Sequence, residues 1–124
     1  MSQGTVDTIP FESVSPVFHV LNVATALAFY CESLGFALAW KWGEPATQAS
    51  VCRGRVSISL ALDPRKAGTG EAYIEVGGID DYHSELATRG VALGEVADRP
   101  YGMRDSAVTD RNGNRIVFGQ AITR

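Results

Sequence analysis

The chain has 124 residues, 45% of them hydrophobic and 20% charged, with a formal net charge of −3. That is the composition of an ordinary globular protein, with no apolar run near the ~18 residues of a membrane span, and a chain of this length buries enough surface for one core without cross-links. The eleven Lys and Arg are scattered instead of forming a stripe, so no nucleic-acid partner is expected, and the mildly acidic balance favours a cationic small molecule.

Ser13 to Leu21 (SVSPVFHVL) carries β-branched and aromatic residues at strand density, and Asn22 offers an N-cap to the next segment. Val23, Ala26, Leu27, Tyr30 and Leu34 then recur at helical spacing, and Gly35 stands where a glycine ends a helix. Strands are expected next at Phe36 to Trp42, Ala46 to Arg53 and Arg55 to Leu62. Asp63 to Gly70 (DPRKAGTG) is dense in Pro, Gly and charge and reads as a connector.

After the connector the pattern restarts. A strand is expected at Glu71 to Gly77, then a helix carrying Ile79, Tyr82 and Leu86, with Asp80 and Asp81 in its first turn and Gly90 at its end. Further strands are expected at Val91 to Val96, Met103 to Asp110 and Asn114 to Ala121, with Asn112-Gly113 as a hairpin signal. Laying LNVATALAFYCESLGFAL on VGGIDDYHSELATRGVAL puts Gly35 on Gly90, and an internal duplication is the simplest account. The expectation is one α+β domain over residues 1–124, made of two βαβββ modules at about 13–62 and 71–121.

Cys31 and Cys52 are too few for a disulfide framework and are expected to be reduced. Met1 to Glu12 has neither the basic nor the apolar segment of a secretion leader, so the cytoplasm is the expected compartment.

PVFHVLNVATALAFYCESLGF near the start and RPYGMRDSAVTDRNGNRIVFGQ near the end resemble the two signature regions of the glyoxalase/bleomycin-resistance (vicinal-oxygen-chelate) superfamily. Those regions read V-x-D-x-x-x-x-x-x-F-Y-x-x-x-L-G-F and D-P-x-G-N-x-I-x-F; here Asn22 stands before the first helix where "x-D" is common, and Arg111 replaces the proline after Asp110. The resemblance spans about residues 14 to 121. It implies an open, curled mixed sheet, a homodimer that completes the cavity, and, in metal-dependent members, one metal ligand from each of four strands.

Carried over by position, those four ligands fall on Ser15, Ser59, Glu71 and Val117. A catalytic divalent ion needs about three N, O or S ligands, valine offers none, and neutral serine hydroxyls lose to imidazole and carboxylate. No metal and no cofactor are therefore expected. The resemblance then points to the metal-free, bleomycin-resistance-like members, which sequester a cationic, planar-tailed drug in acidic, aromatic dimer crevices. The alternative is a metal-dependent lyase, isomerase, thiol transferase or dioxygenase of the same superfamily.

Strand alternation places Ser15, Val17 and His19 on one face, Ser57, Ser59 and Ala61 on another strand's equivalent face, and Glu71, Tyr73 and Glu75 on a third. If these face the cup, the lining is half polar, and the carboxylates are able to pair with amines. The same alternation puts Phe36, Leu38, Trp40 and Trp42 together, so the tryptophans read either as an aromatic wall for a planar ligand or as core or interface packing. Tyr101 is expected near the cavity mouth. The candidate ligand-binding set is His19, Trp40, Trp42, Ser59, Glu71, Tyr73, Glu75 and Tyr101, with no catalytic residue assigned. Proton transfer by His19 with Glu75 is a third functional class.

Overall fold

Asn22 caps the first helix as its position predicts: its side-chain carbonyl accepts from the Thr25 N–H at 2.8 Å, closing one of the turn's free donors. In the computed structural model, which describes residues 8–122, helix α1 (Val23–Ala28) continues as a wider π turn, Phe29–Ser33. Met1–Asp7, most of the stretch read for a leader, lies outside the described residues.

Around α1, strands β1 (Val17–Val20), β2 (Ala37–Trp42), β3 (Gln48–Arg53) and β4 (Val56–Leu62) form one sheet in the order β1-β4-β3-β2. β5 (Glu71–Glu75), α2 (Ile79–Thr88), β6 (Ala97–Asp98), β7 (Met103–Thr109) and β8 (Arg115–Ala121) repeat the plan as β5-β8-β7-β6. In each sheet the first strand runs parallel to the last and the other pairs are antiparallel. The expected α+β fold of two βαβββ units is thus present, as two open four-stranded mixed sheets.

Two expected strands are corrected. Ser13 to Leu21 shortens to β1, because residues before Pro16 find no sheet partner. Val91 to Val96 is not a strand: Val91, Leu93 and Val96 pack against the core, while Gly94 is held by its own N–H to Ala107 O and by the Ser106 hydroxyl on its carbonyl at 2.7 Å. Apolar alternation there marks packing, and only Ala97–Asp98 pairs with β7. No described helix is long and apolar enough to cross a membrane.

Phe18, Val20, Tyr30, Val51, Ile58 and Leu60 of the first module and Ile74, Leu86, Ile116 and Phe118 of the second belong to one continuous core. Polar contacts join the modules around it. Asp110 Oδ1 accepts from the N–H groups of Asn112 (2.8 Å) and Asn114 (2.9 Å), and Oδ2 accepts from the Tyr30 hydroxyl (2.8 Å) and Asn114 Nδ2 (3.0 Å). Asn114 also donates to the carbonyl of His19 and accepts from the Gly70 N–H, while Asn112 Oδ1 takes the Leu21 N–H. Burial beside Asp110 pushes the Tyr30 phenol far above its ordinary pKa, so it stays a proton donor.

A second joint lies on the helix side. Arg53 forks onto Glu85 at 2.7 and 2.8 Å with its guanidinium over the Tyr82 ring, and Arg89 holds both Glu85 and the carbonyl of Glu32. Hydrogen bonding to Arg53, working against partial burial and aided by Arg89, pulls the Glu85 pKa down from 4.5 to about 2.

Tyr30→Phe removes a donor from a buried carboxylate, and urea unfolding should show a loss of about 1.5–3 kcal/mol. A carboxyl whose pKa is lowered in the fold stabilises fully above its unfolded value and loses that contribution as pH falls through the folded one. Glu85→Gln should therefore lower the thermal midpoint at neutral pH, modestly because the pair is partly solvated. The gap from the parent should close as pH drops from 4.5 towards about 2.

Candidate functional site

Each sheet covers the core with one face and leaves the other open, so pleat parity decides which side chains are available for binding. On the first sheet, the pairings Val17–Ser59–Ser50 and His19–Ala61–Gln48 define the open face, because Phe18, Leu60 and Ala49 between them are buried. Ser15 and Ser59 share a hydrogen bond at 3.0 Å on that face.

The tryptophans reach the open face by a bulge that simple alternation does not foresee. Leu38 pairs with Val51 and Trp40 with the next residue, Ser50, so Ala39 is an extra residue in β2. Phe36, which is buried, and Leu38, 47% exposed on the edge strand, consequently share the side of Val51, whereas Trp40 and Trp42 share the open side with Ser50 and Gln48. The expectation that all four lie on one face is corrected, and core packing of the tryptophans is ruled out by exposures of 49% and 68%.

On the second sheet the open face carries Glu71, Tyr73, Arg115, Val117, Asp105 and Ala107. With Arg99 and Tyr101 from the loop before β7, these residues line a hollow of about 560 Å³. Asp105, only 3% exposed, sits at its centre: Oδ2 accepts from the hydroxyls of Tyr101 (2.6 Å) and Tyr73 (3.1 Å), and Oδ1 from Arg99 Nε (2.7 Å). Burial alone would raise the Asp105 pKa, but the hydrogen bonds from Tyr101, Arg99 and Tyr73 outweigh it and hold the group below the usual carboxylate range. Desolvation, then the bond to Asp105, pushes Tyr73 up to about 12, and the Asp105 bond first and burial second raise Tyr101. Arg115 holds Glu71 at 2.5 Å.

Gly119 makes this arrangement possible. It lies between Glu75 and Asp105 in the ladder, and a methyl group on its α-carbon would overlap the Tyr73 hydroxyl. Tyr73 thus crosses over a residue without a side chain to reach Asp105.

Of the eight candidates, Glu71, Tyr73 and Tyr101 come together in the hollow. Glu75 instead lines another hollow of about 450 Å³, on the seam with Arg53, Tyr82 and Glu85. His19, Trp40, Trp42 and Ser59 share the open face of the first sheet and contribute nothing to the second-sheet hollow. Among the described residues no hydrogen bond joins the His19 ring to Glu75, so the proton-transfer pairing has no support. Asp105, Arg99, Arg115 and Gly119 were not singled out from sequence. Asp105 is an acidic residue inside a strand, MRDSAVT, whose neighbouring Arg104 hides it among ordinary surface charges, and its partners come from a loop and from β5.

The four positions to which the resemblance carries a metal site hold side chains that do not suit an ion. Ser15 and Ser59 bind each other, Val117 has no donor atom and Glu71 is engaged by Arg115. Among the described residues no three His, Cys, Asp or Glu side chains are grouped as a metal site.

Residues 16–118 match the Glyoxalase/Bleomycin resistance protein/Dioxygenase superfamily, and the chain belongs to that superfamily. It is 27% identical to the bleomycin resistance proteins of Geobacillus stearothermophilus and Staphylococcus aureus, over 86% of this chain and 95% of theirs. Among solved structures it is similar to the bleomycin-binding protein of bleomycin-producing Streptomyces verticillus complexed with copper(II)-bleomycin. That similarity has a TM-score of 0.78 and 26% identity, covering 94% of this chain and 100% of that one. An antibiotic-binding protein from Streptomyces sp. CB03234 is similar at TM-score 0.71 and 26% identity, over 88% of this chain and 96% of that one.

An exposed tryptophan contributes little to the fold of its own chain. Trp42→Ala should change the unfolding free energy of the monomer by about 0.5 kcal/mol or less, against the 3–5 kcal/mol of a buried aromatic, as read from denaturant midpoints at high dilution.

Proposed function

We propose that this protein binds a bleomycin-type antibiotic, cationic and partly planar, and sequesters it chemically unchanged, acting as a homodimer in the cytoplasm. The observation that carries this reading is Trp40 and Trp42 standing open on a sheet face, within a family whose similar members are bleomycin resistance and bleomycin-binding proteins. Offset stacking on an indole suits a planar heteroaromatic group, and carboxylates and phenols suit amino and amide groups.

The dimer rests on surface chemistry. Val17, Trp40 and Trp42 leave a large apolar area in water, and the polar hollow lies on the other sheet. A second copy related by a two-fold axis would cover the first and bring an aromatic face opposite a polar one. His19, Trp40, Trp42, Ser59, Glu71, Tyr73, Glu75 and Tyr101 are the proposed ligand contacts, with no metal or cofactor taking part.

Calorimetric titration with bleomycin and with copper(II)-bleomycin tests the reading. Binding should leave the drug unmodified and persist in EDTA, and Trp42→Ala should weaken it by about tenfold or more, equivalent to about 1.4 kcal/mol. Light scattering should give twice the 13.3 kDa chain mass at micromolar concentration. Stoichiometric zinc, iron or manganese with EDTA-sensitive turnover would overturn it.

A further inference from the structure

A phenol has one proton, and both tyrosines in the second-sheet hollow have committed theirs to the same atom. Tyr101 and Tyr73 donate to Asp105 Oδ2, yet their side chains remain 64% and 46% exposed. With the proton held, each oxygen offers a ligand only lone pairs. Each neighbouring cation is paired with a carboxylate: Arg99 points Nε at Asp105 Oδ1 and Nη2 at the carbonyls of Glu95 and Asp105, and Arg115 gives Nη1 to Glu71. Gly119 leaves the space for Tyr73 to take up this position.

We infer that Asp105 is a positioning residue that turns the Tyr73–Tyr101 wall into a hydrogen-bond acceptor, so that this hollow selects the amine, amide or amidinium end of a ligand over a carboxylate of the same shape. This rests on the proposed ligand binding and adds which chemistry the second sheet reads. The aromatic face of the first sheet favours a cation only through the indole faces, a preference that substitutions at Asp105 and Gly119 leave in place.

Benzamidine and benzoate share a ring and differ in hydrogen-bond character, which makes them suitable probes. Titration of the full chain monitored by NMR should show benzamidine binding at least tenfold tighter than benzoate. Asp105→Asn, which removes the charge that orients both hydroxyls, should reduce that ratio at least threefold. Gly119→Ala, which displaces only Tyr73, should reduce it by less and serves if Asp105→Asn does not fold.

Ultraviolet titration of tyrosinate gives a readout without ligand. The chain has four tyrosines, Tyr30 and Tyr82 are also raised, and all four should ionise above the usual value of 10 in the parent. In Asp105→Asn, Tyr101, raised first by its bond to Asp105, should fall towards that value, and Tyr73, raised first by desolvation, should fall only part of the way; Gly119→Ala should lower Tyr73 and leave Tyr101 where it is. Identical titrations of parent and variants, absence of benzamidine binding, or benzoate binding as tightly as benzamidine would each overturn the inference, the last because the arginines would then be reading the ligand. Bleomycin binding measured alongside separates the two readings. If bleomycin fails to bind while the benzamidine preference and its loss in the variants persist, the antibiotic assignment falls and the acceptor wall stands. If bleomycin binds and the preference is absent, the reverse holds.

Discussion

The buried carboxylate of Asp110 accepts four hydrogen bonds, from two backbone N–H groups of its own turn, from Asn114 Nδ2 and from the Tyr30 hydroxyl of the other module. A carboxylate taken out of water is tolerated only when its lone pairs are filled, so these contacts are mutually dependent. Three of them shape the hairpin between β7 and β8, and the fourth, from Tyr30, reaches out of it. Through Asn114 the turn also grips the carbonyl of His19 at the end of β1, and through Asn112 the N–H of Leu21. The strand that leaves this joint, β8, carries Arg115, Val117 and Gly119 on its open face. The same joint therefore holds the end of the first sheet's parallel edge strand and starts the strand that floors the hollow.

From that joint outwards, the pleat separates packing from chemistry. Residues facing the helices are apolar and merge into one core across both modules. Those facing away differ between the sheets: the first presents Val17, His19, Trp40, Trp42 and a row of serines, the second presents charged groups and tyrosines that largely bond one another. The two modules repeat one frame, and their open faces carry different chemistry. The aromatic face gives shape and stacking. The polar face is pre-organised by Asp105, so its hydrogen-bond directions are set before any ligand arrives.

Much of this was legible in the chain. Asn22 and Gly35 bracket the first helical segment because capping and left-handed backbone are local properties, and Gly35 has the positive φ of 78° that its position called for. Asn112-Gly113 marked the last hairpin for the same reason. The motifs around Phe29-Tyr30 and Asp110-Asn114 carried the family, since they encode the inter-module clamp itself. The outward parity of His19, Ser59, Glu71 and Tyr73 also came from local alternation.

What escaped the sequence was decided by pairing between distant residues. The extra residue in β2 becomes visible only when β3 is laid beside it, and it alone turns Trp40 and Trp42 away from the core. Val91 to Val96 alternates like a strand but spends its apolar side chains on the core, because the sheet edge is taken up only at Ala97. Glu75 has the parity of Glu71 and Tyr73 but lines a different hollow, since it lies beside the seam where the modules meet. Asp105, Arg99 and Gly119 make a site only with Tyr73 and Tyr101, brought together by β5, β7, β8 and one loop. Composition, caps and alternation are properties of neighbours in the chain, and they determined the frame and the face of most residues. Register, bulges and the meeting of side chains from separate strands are properties of the folded whole, and they decided which of those residues share a site.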